Sequence, residues 1–305
     1  MIDSYISIFP IFMLIMTGFI LKKYFIKDIS FWDVIEKLVY YLLLPILLLK
    51  SIINSDLSSI NLGNFILSLL IPTLSMVLIL VIFQKFSKIK NADFTSIFQG
   101  SIRYNSYVLL SMLIIILPEN GMLFFGIITV IMIVSTNLLS VLILSIYDDN
   151  SHYFQWKNTL KKIIYNPLIL ASIIGLILNL LDCKLPIVIN NYFIHLSNSA
   201  LSLSLLAVGA GLKLNTIHSD KFYIVIPTII KLVILPILYY TTFYFIQLDD
   251  NLKIAILIYG SVPTAGNAYI LAKQMGGNHK LMASIITMTT LVSIFTMPII
   301  IHFLI

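Results

Sequence analysis

The sequence is poor in charged residues and in cysteine. Asp, Glu, Lys and Arg together make up 10% of its 305 residues, whereas a soluble domain carries about 25%. Apolar residues make up 59% of the chain, and its mean hydropathy is +1.02. So few charges cannot cover a surface that faces water, which excludes a soluble globular protein and predicts an integral membrane protein. Cys183 is the single cysteine, so an internal disulfide is excluded.

The signatures of enzymes and of ATP-driven pumps are also missing. The five histidines are scattered without metal-ligand spacing, and no glycine-rich loop with a lysine is present to cradle phosphate. We therefore expect no enzyme, no cofactor and no metal site. The net charge of +6 comes from lysines of the kind that membrane proteins carry in cytoplasmic loops, so we expect no nucleic-acid partner. MIDSYISIFP lacks a basic segment, and we expect no cleavable signal peptide.

Ten apolar segments are each long enough to cross about 30 Å of hydrocarbon. They predict an all-α membrane protein with ten transmembrane helices over 5–21, 34–53, 63–83, 95–117, 121–145, 166–181, 190–212, 222–246, 252–274 and 281–304. The polar connection 147–165 divides the chain into two halves of five helices, 1–146 and 166–305. Because five is odd, the second half would be inserted upside down relative to the first.

Lysines are unevenly distributed over the connections between these segments. With the N-terminus outside, twelve lysines fall on the cytoplasmic side, and only Lys50, Lys184 and Lys253 fall on the outer side. Cytoplasmic loops of membrane proteins carry such an excess. The pattern predicts a multi-pass protein of the cytoplasmic membrane with both termini outside.

The two halves share a polar motif inside very apolar segments. Stretch 100–109, GSIRYNSYVL, and stretch 260–271, GSVPTAGNAYIL, both begin with Gly-Ser and both contain Asn-x-Tyr followed by a β-branched residue and Leu. Inverted repeats are typical of secondary transporters, whose substrate sites lie near the midplane, where broken helices of the two halves meet. We therefore predict that helices four and nine are interrupted, near 100–105 and 263–267, with the two breaks close together.

The polar residues of this motif are the candidate substrate-binding residues. Unpaired backbone inside a membrane is tolerated where it lines a cavity or is buried in protein, and an asparagine offers both donors and acceptors there. The set comprises Asn105, Asn267, Pro263, Tyr107 and Tyr269. The alternative is that the asparagines only cap interrupted helices or join neighbouring helices.

Arg103 is the only arginine, and it lies about ten residues into the fourth segment. A charge at this depth usually faces a bundle interior or an aqueous cavity. A guanidinium can grip a carboxylate with two parallel hydrogen bonds, and no acidic residue lies comparably deep in any segment. Arg103 is therefore a candidate binding residue for an anion. Snorkelling to the interface or pairing with backbone carbonyls are the alternatives.

Lys231 lies in the middle of the eighth segment. It is a candidate for a fixed positive charge where other carriers bind a cation, or for a titrating group, and the alternative is a lysine satisfied by helix-end carbonyls. The coupling ion, H⁺ or Na⁺, stays open. The side chains of TMTTLVS offer neutral oxygens for Na⁺, although hydrogen bonds between helices explain them equally well. They are Thr287, Thr289, Thr290 and Ser293.

SVPTAGNAYILAKQMGG, over 261–277, resembles the ninth helix of the auxin efflux carrier family. That family includes plant auxin exporters and bacterial malate permease-like proteins. FQGSIRYNSYVLLSM is similar to the fourth helix, and IEKLVYYLLLPILLLKSI, with Tyr40 and Pro45, is similar to the second. The resemblance implies a carrier with ten helices, in which helices one, two, six and seven support a mobile domain containing the broken helices four and nine. Asn105, Asn267 and Pro263 match the family's crossover residues, whereas the fourth helix here lacks a proline.

These observations predict a secondary transporter that moves a small organic anion, such as a dicarboxylate or an auxin-like acid, by alternating access. An uncoupled facilitator and a ligand-binding membrane sensor are the alternatives. The expected partners are the anion and the lipid bilayer, and a homodimer stays open.

The orientation gives a direct prediction. A cysteine placed at Asn158 in a Cys183→Ser protein should resist membrane-impermeant thiol reagents in intact cells, because connection 147–165 is expected in the cytoplasm. A cysteine at Asn120, in the outer connection between segments four and five, is the matched control and should be labelled readily. Rapid labelling at 158 with protection at 120 would reverse the orientation.

Overall fold

The computed structural model describes residues 2–54, 61–147, 164–183, 185–213 and 221–304, and within them it is all-helical. Most of connection 147–165 lies outside the described residues. The helices of the first half, α1 to α7, are Ile2–Ile20, Ile29–Leu38, Leu44–Ile53, Leu62–Phe86, Asn91–Ile102, Ser106–Ile116 and Gly121–Ile146. Those of the second half, α8 to α14, are Pro167–Leu180, Ile187–Gly211, Lys221–Ile229, Leu235–Thr242, Asp250–Ser261, Ala268–Gln274 and His279–Leu304.

Short polar side chains start several of these helices. The carboxylate of Asp28 accepts a hydrogen bond from the amide of Ser30 at 2.9 Å, and Oδ1 of Asn166 accepts one from the amide of Leu168 at 2.9 Å. The amides in the first turn of a helix have no partner within the helix, and these side-chain oxygens accept hydrogen bonds from them. The polar residues between apolar segments therefore mark where α2 and α8 begin.

Two of the predicted spans contain a π-helical turn. Val39–Leu43 joins α2 to α3, and Ile230–Ile234 joins α10 to α11. Pro45 and Pro236 stand in the first positions of the helices that follow. Proline has no N–H for the helical ladder, and a π-helical turn is one way in which a helix absorbs such a defect.

Five helical segments are long and apolar enough to cross a membrane. They are Leu62–Phe86, Gly121–Ile146, Ile187–Gly211, Lys221–Thr242 and His279–Phe303. The all-helical membrane class predicted from composition is thus confirmed for the described residues. Several other predicted spans are interrupted or short, so ten spans in an inverted repeat stay a prediction.

Helices α1, α3, α8 and α9 form one packed group. α1 and α9 approach so closely that a Cβ added to Gly18 would overlap the carbonyl of Leu206, and one added to Gly209 would overlap the carbonyl of Ile15. Small residues permit this approach of backbones, which is how helices pack in membranes. α3 contacts both α8 and α9. These helices correspond to predicted helices one, two, six and seven.

The remaining long helices pack around α5 and α12. α5 contacts α4, α7, α10, α13 and α14, and α12 contacts α4, α6, α11 and α14. Helix α6 contacts α1 and α9 of the first group as well as α12 of the second. The second part of the interrupted fourth helix therefore lies where the two groups meet.

The close approach of α1 and α9 can be tested at two glycines of one helix. Gly209→Ala should lower the unfolding temperature of the purified protein, because the added methyl group overpacks the contact with α1 at a cost of about 1–3 kcal/mol. Gly211→Ala is the matched control, since a Cβ there meets nothing within 4 Å. Equal unfolding temperatures for the two variants in the same detergent would contradict the contact.

Candidate functional site

The first helix break lies between α5 and α6. α5 ends at Ile102, and Arg103 has an extended backbone with φ −77° and ψ 151°. The side chain of Asn105 then accepts hydrogen bonds from the amides of Tyr107 at 3.0 Å and Val108 at 3.2 Å. This cap starts α6 directly after the break. The sequence therefore breaks the fourth helix without proline, because an asparagine begins a new helix three residues after the old one ends.

The second break, between α12 and α13, contains the proline. α12 ends at Ser261, and Val262 is extended with φ −67° and ψ 149°. Pro263 has no N–H to donate to the carbonyl of Tyr259, four residues earlier, so the ladder stops there. Thr264 and the residues after it cross the gap before α13 begins at Ala268. Both interruptions that the repeated motif predicts are present in the structure.

The two breaks are in direct contact. The amide of Asn105 donates to the carbonyl of Pro263 at 2.8 Å, and the hydroxyl of Thr264 donates to the carbonyl of Gly100 at 2.6 Å. Each bond joins residues that are about half the chain apart. They satisfy backbone groups that the interrupted helices leave unpaired in a buried place, where an orphaned group is costly.

Arg103 is buried at this contact, with 5% of its surface exposed. Its Nη2 donates to Oδ1 of Asn267 at 3.0 Å. Its Nη1 is buried and has no hydrogen-bond partner within the described part of the chain. No aspartate or glutamate is among the buried residues of that part. The guanidinium is therefore tied to the second break through one nitrogen and keeps the other for a further acceptor.

The two asparagines of the repeat have different contacts. Asn105 stands five positions after Gly100, whereas Asn267 stands seven positions after Gly260. Asn105 caps α6, whereas Asn267 has helical backbone angles, φ −68° and ψ −10°, and makes no capping hydrogen bond. Asn267 stands directly before α13, but its side chain accepts from no amide of that helix and accepts from Arg103 instead. The capping alternative thus describes Asn105 and not Asn267.

The two tyrosines of the motif lie in different surroundings. Tyr107 is half-buried and packs against the main apolar core. The ring of Tyr269 lies 4.2 Å from Nζ of Lys213 and packs edge-on against the ring of His279 at 5.6 Å. Tyr269 thus links α13 to the end of α9 and the start of α14. The contacts of the Tyr269 ring are therefore with residues at the end of α9 and the start of α14, Lys213 and His279.

Two polar residues at the site were not singled out by the sequence analysis. Gln99 is fully buried, one helical turn before Arg103, and neither atom of its side-chain amide is hydrogen-bonded to the described residues. Thr264 holds the carbonyl of Gly100 across the breaks. Gln99 is a polar residue in an apolar segment, four positions before the only arginine, and this was the available sequence signal for Gln99. No sequence signal pairs Thr264 with Gly100.

Lys231 is fully buried in the π-helical turn between α10 and α11. Its Nζ donates to the carbonyl of Gly260 at 3.3 Å and lies 5.6 Å from the centre of the Tyr259 ring. The structure therefore places it beside the end of α12, next to the second break. The carbonyl it binds belongs to Gly260 of the repeated motif.

The hydroxyl-rich segment of α14 is hydrogen-bonded internally and to its neighbours. Thr287, Thr289 and Thr290 each donate to a carbonyl of α14 itself. Thr289 also accepts from the amide of Thr264, and Thr287 accepts from that of Lys213. The last two bonds join α14 to the second break and to the chain after α9, in line with the alternative of contacts between segments.

Comparison with protein families matches residues 3–301 to a family described as membrane transport protein. The match covers almost the whole chain, including both helix breaks. Comparison with curated proteins gave no match.

The contact between the breaks predicts the effect of losing one hydroxyl. Thr264→Val should lower the unfolding temperature, because the buried carbonyl of Gly100 loses its partner at a cost of about 1–3 kcal/mol. Thr228→Val is the matched control. Thr228 is also buried, but its hydroxyl bonds only to the carbonyl of Ile224 in its own helix. An equal or larger loss in the Thr228 variant would contradict the role of Thr264.

Proposed function

The chain belongs to this family of membrane transport proteins, the auxin efflux carrier family, and we propose that it is a secondary transporter of small organic anions. It moves them across the cytoplasmic membrane by alternating access. Carboxylates such as dicarboxylates or auxin-like acids are the substrate class.

The observation that carries this proposal is the burial of Arg103 without a carboxylate partner among the described residues. A buried guanidinium is costly unless it is paired, and no buried carboxylate of the described chain pairs with it. One of its terminal nitrogens is bound by Asn267 and the other is unpaired. A carboxylate is the acceptor that suits a guanidinium, because it accepts two hydrogen bonds from it in one plane.

The other candidate residues support this grip in different ways. Asn267 orients the guanidinium through the bond between its Oδ1 and Nη2. Asn105 and Pro263 hold the two breaks together through their backbone bond. Tyr107 and Tyr269 follow the two breaks along α6 and α13 and flank the substrate path. In this arrangement Arg103 makes the charged contact and the others position it.

Contacts between helix ends support a ten-helix arrangement with two inverted halves. At one end, Nδ2 of Asn64 at the start of α4 donates to the carbonyl of Gln247, just before α12, at 2.9 Å. At the other, the amide of Asn278 before α14 donates to the carbonyl of Ala92 in α5, also at 2.9 Å. Both pairs join the ends that an inverted repeat places on one side of the membrane. Both termini would then lie outside, as the lysine distribution predicts.

Two packed groups of helices provide a basis for alternating access. The breaks belong to the group around α5 and α12, and α6 borders α1 and α9 of the other group. A movement of one group past the other would expose Arg103 to one side of the membrane and then the other. Helix groups that rock or slide about a site near the midplane are the usual transport mechanism of inverted-repeat carriers.

The anion site is tested by substituting Arg103 and measuring stability and binding on the same sample. Purified protein is screened by thermal shift against lactate, succinate, malate and indole-3-acetate, because a ligand that binds the folded state raises its unfolding temperature. Arg103→Lys should weaken binding of the carboxylate that stabilises the wild type. Lysine keeps the charge but loses the two-pronged geometry, which corresponds to about 1–3 kcal/mol, or roughly tenfold to a hundredfold in affinity.

Arg103→Ala should weaken binding further, and Lys85→Ala is the control for loss of an exposed positive charge. Uptake into liposomes with and without an ion gradient separates a coupled carrier from a facilitator. Binding without any flux would instead favour a sensor. Unchanged affinity in a destabilised Arg103→Lys protein would refute the anion site.

A further inference from the structure

The repeated Gly-Ser motif leaves a glycine carbonyl at the end of each interrupted helix. Gly100 lies in the last turn of α5, and Gly260 lies in the last turn of α12. Both carbonyls accept a hydrogen bond from outside their own helix. The carbonyl of Gly100 accepts from the neutral hydroxyl of Thr264, whereas that of Gly260 accepts from the ammonium group of Lys231. The two halves therefore share the accepting carbonyl, but the donor is a neutral hydroxyl in one half and a lysine in the other.

The carbonyl of Gly260 is available because the helix ends around it. In a continuous helix it would accept from the amide four residues on, that of Thr264. That amide instead donates to Oγ1 of Thr289 at 3.3 Å. Pro263 cannot extend the ladder, since it has no N–H. The carbonyl of Gly260 at the end of α12 is therefore free of a helical amide and accepts from Lys231 instead.

Such a place favours a cation. The C-terminal end of a helix carries a partial charge of about −0.5, and unwound carbonyls and half-helix C-terminal ends coordinate the coupling cation in secondary transporters. No carboxylate is buried in the described part of the chain to share in this task. The cation at this helix end in the present structure is the side chain of Lys231.

Two groups around Lys231 attract a cation. Its side chain is fully buried. Nζ faces the carbonyl of Gly260 at 3.3 Å and the ring of Tyr259 at 5.6 Å, and both groups attract an ammonium ion. The Tyr259 ring is held edge-on between Tyr104, at 4.8 Å, and Tyr239, at 5.5 Å. The hydroxyl of Tyr239 is in turn hydrogen-bonded to that of Thr73 at 2.7 Å.

We propose that Lys231 is a built-in substitute for a coupling Na⁺ at the C-terminal end of α12, so that anion transport by this protein needs no Na⁺. This inference rests on the proposed function for its consequence in transport. The site itself, an ammonium group on the carbonyl of Gly260, is independent of the substrate. The positive charge that other carriers take from solution is here part of the chain.

The first test measures uptake by the wild-type protein in the presence of different cations. Uptake of malate, lactate and indole-3-acetate into liposomes is measured with Na⁺ and with N-methyl-D-glucamine as the only added cation. We expect equal rates. The unfolding temperature is also measured without substrate in NaCl and in KCl. We expect no rise specific to Na⁺, because Lys231 occupies the place where Na⁺ would bind and stabilise the folded protein.

The second test removes the ammonium group. Lys231→Met keeps the approximate length of the side chain and should slow uptake about tenfold or more, which corresponds to about 1.4 kcal/mol. Lys273→Met is the matched control, because Lys273 is exposed on α13 and its loss should leave uptake unchanged.

Each outcome decides one of the two proposals. Uptake that requires Na⁺, or an unfolding temperature that rises specifically with Na⁺, overturns the role of Lys231. A folded Lys231→Met protein with wild-type uptake overturns it as well. If this variant does not fold, the wild-type measurements still decide. Absence of uptake for every probe with either cation would count against the proposed function, whereas the comparison of unfolding temperatures would still test the Na⁺ substitute.

Discussion

Every backbone N–H and C=O in the hydrocarbon region needs a partner inside the protein, and the centre of this structure depends on that constraint. Two helices stop among buried residues and leave amides and carbonyls without their usual partners. Each break supplies hydrogen-bond partners to the other. The amide of Asn105 donates to the carbonyl of Pro263, and the hydroxyl of Thr264 donates to the carbonyl of Gly100. This mutual pairing brings Arg103 beside Asn267.

In the two halves, different side chains bind the backbone groups that the helix breaks leave without helical partners. Asn105 caps the helix that follows it, whereas Asn267, directly before α13, makes no cap and accepts from the guanidinium. The glycine carbonyls differ in the same way, because one accepts from a hydroxyl and the other from an ammonium group. An approximate repeat therefore places two buried basic side chains, Arg103 and Lys231, beside the two helix breaks.

Much of this arrangement was predictable because its causes are local. Pro263 stops the helical ladder and Asn105 caps a new helix through its own chain neighbours, so both interruptions could be placed within a few residues. The π-helical turns and the burial of Gln99 were not predicted. Whether a polar side chain in an apolar segment finds a partner depends on the neighbouring helix, and apolar periodicity does not identify that neighbour. The partner of Thr264, 164 positions away, is hidden for the same reason.

The sequence by itself determined the class of protein and the places where its helices break. A chain with 10% charged residues cannot cover a surface that faces water. Pro263 and the cap of Asn105 interrupt helices through contacts within their own stretch of chain. Only the tertiary structure decided that Asn105 is a cap, that Asn267 holds Arg103 and that Lys231 meets the end of α12. These contacts join residues that are far apart in the chain, and their geometry follows from the close packing of helices, which local preferences do not contain.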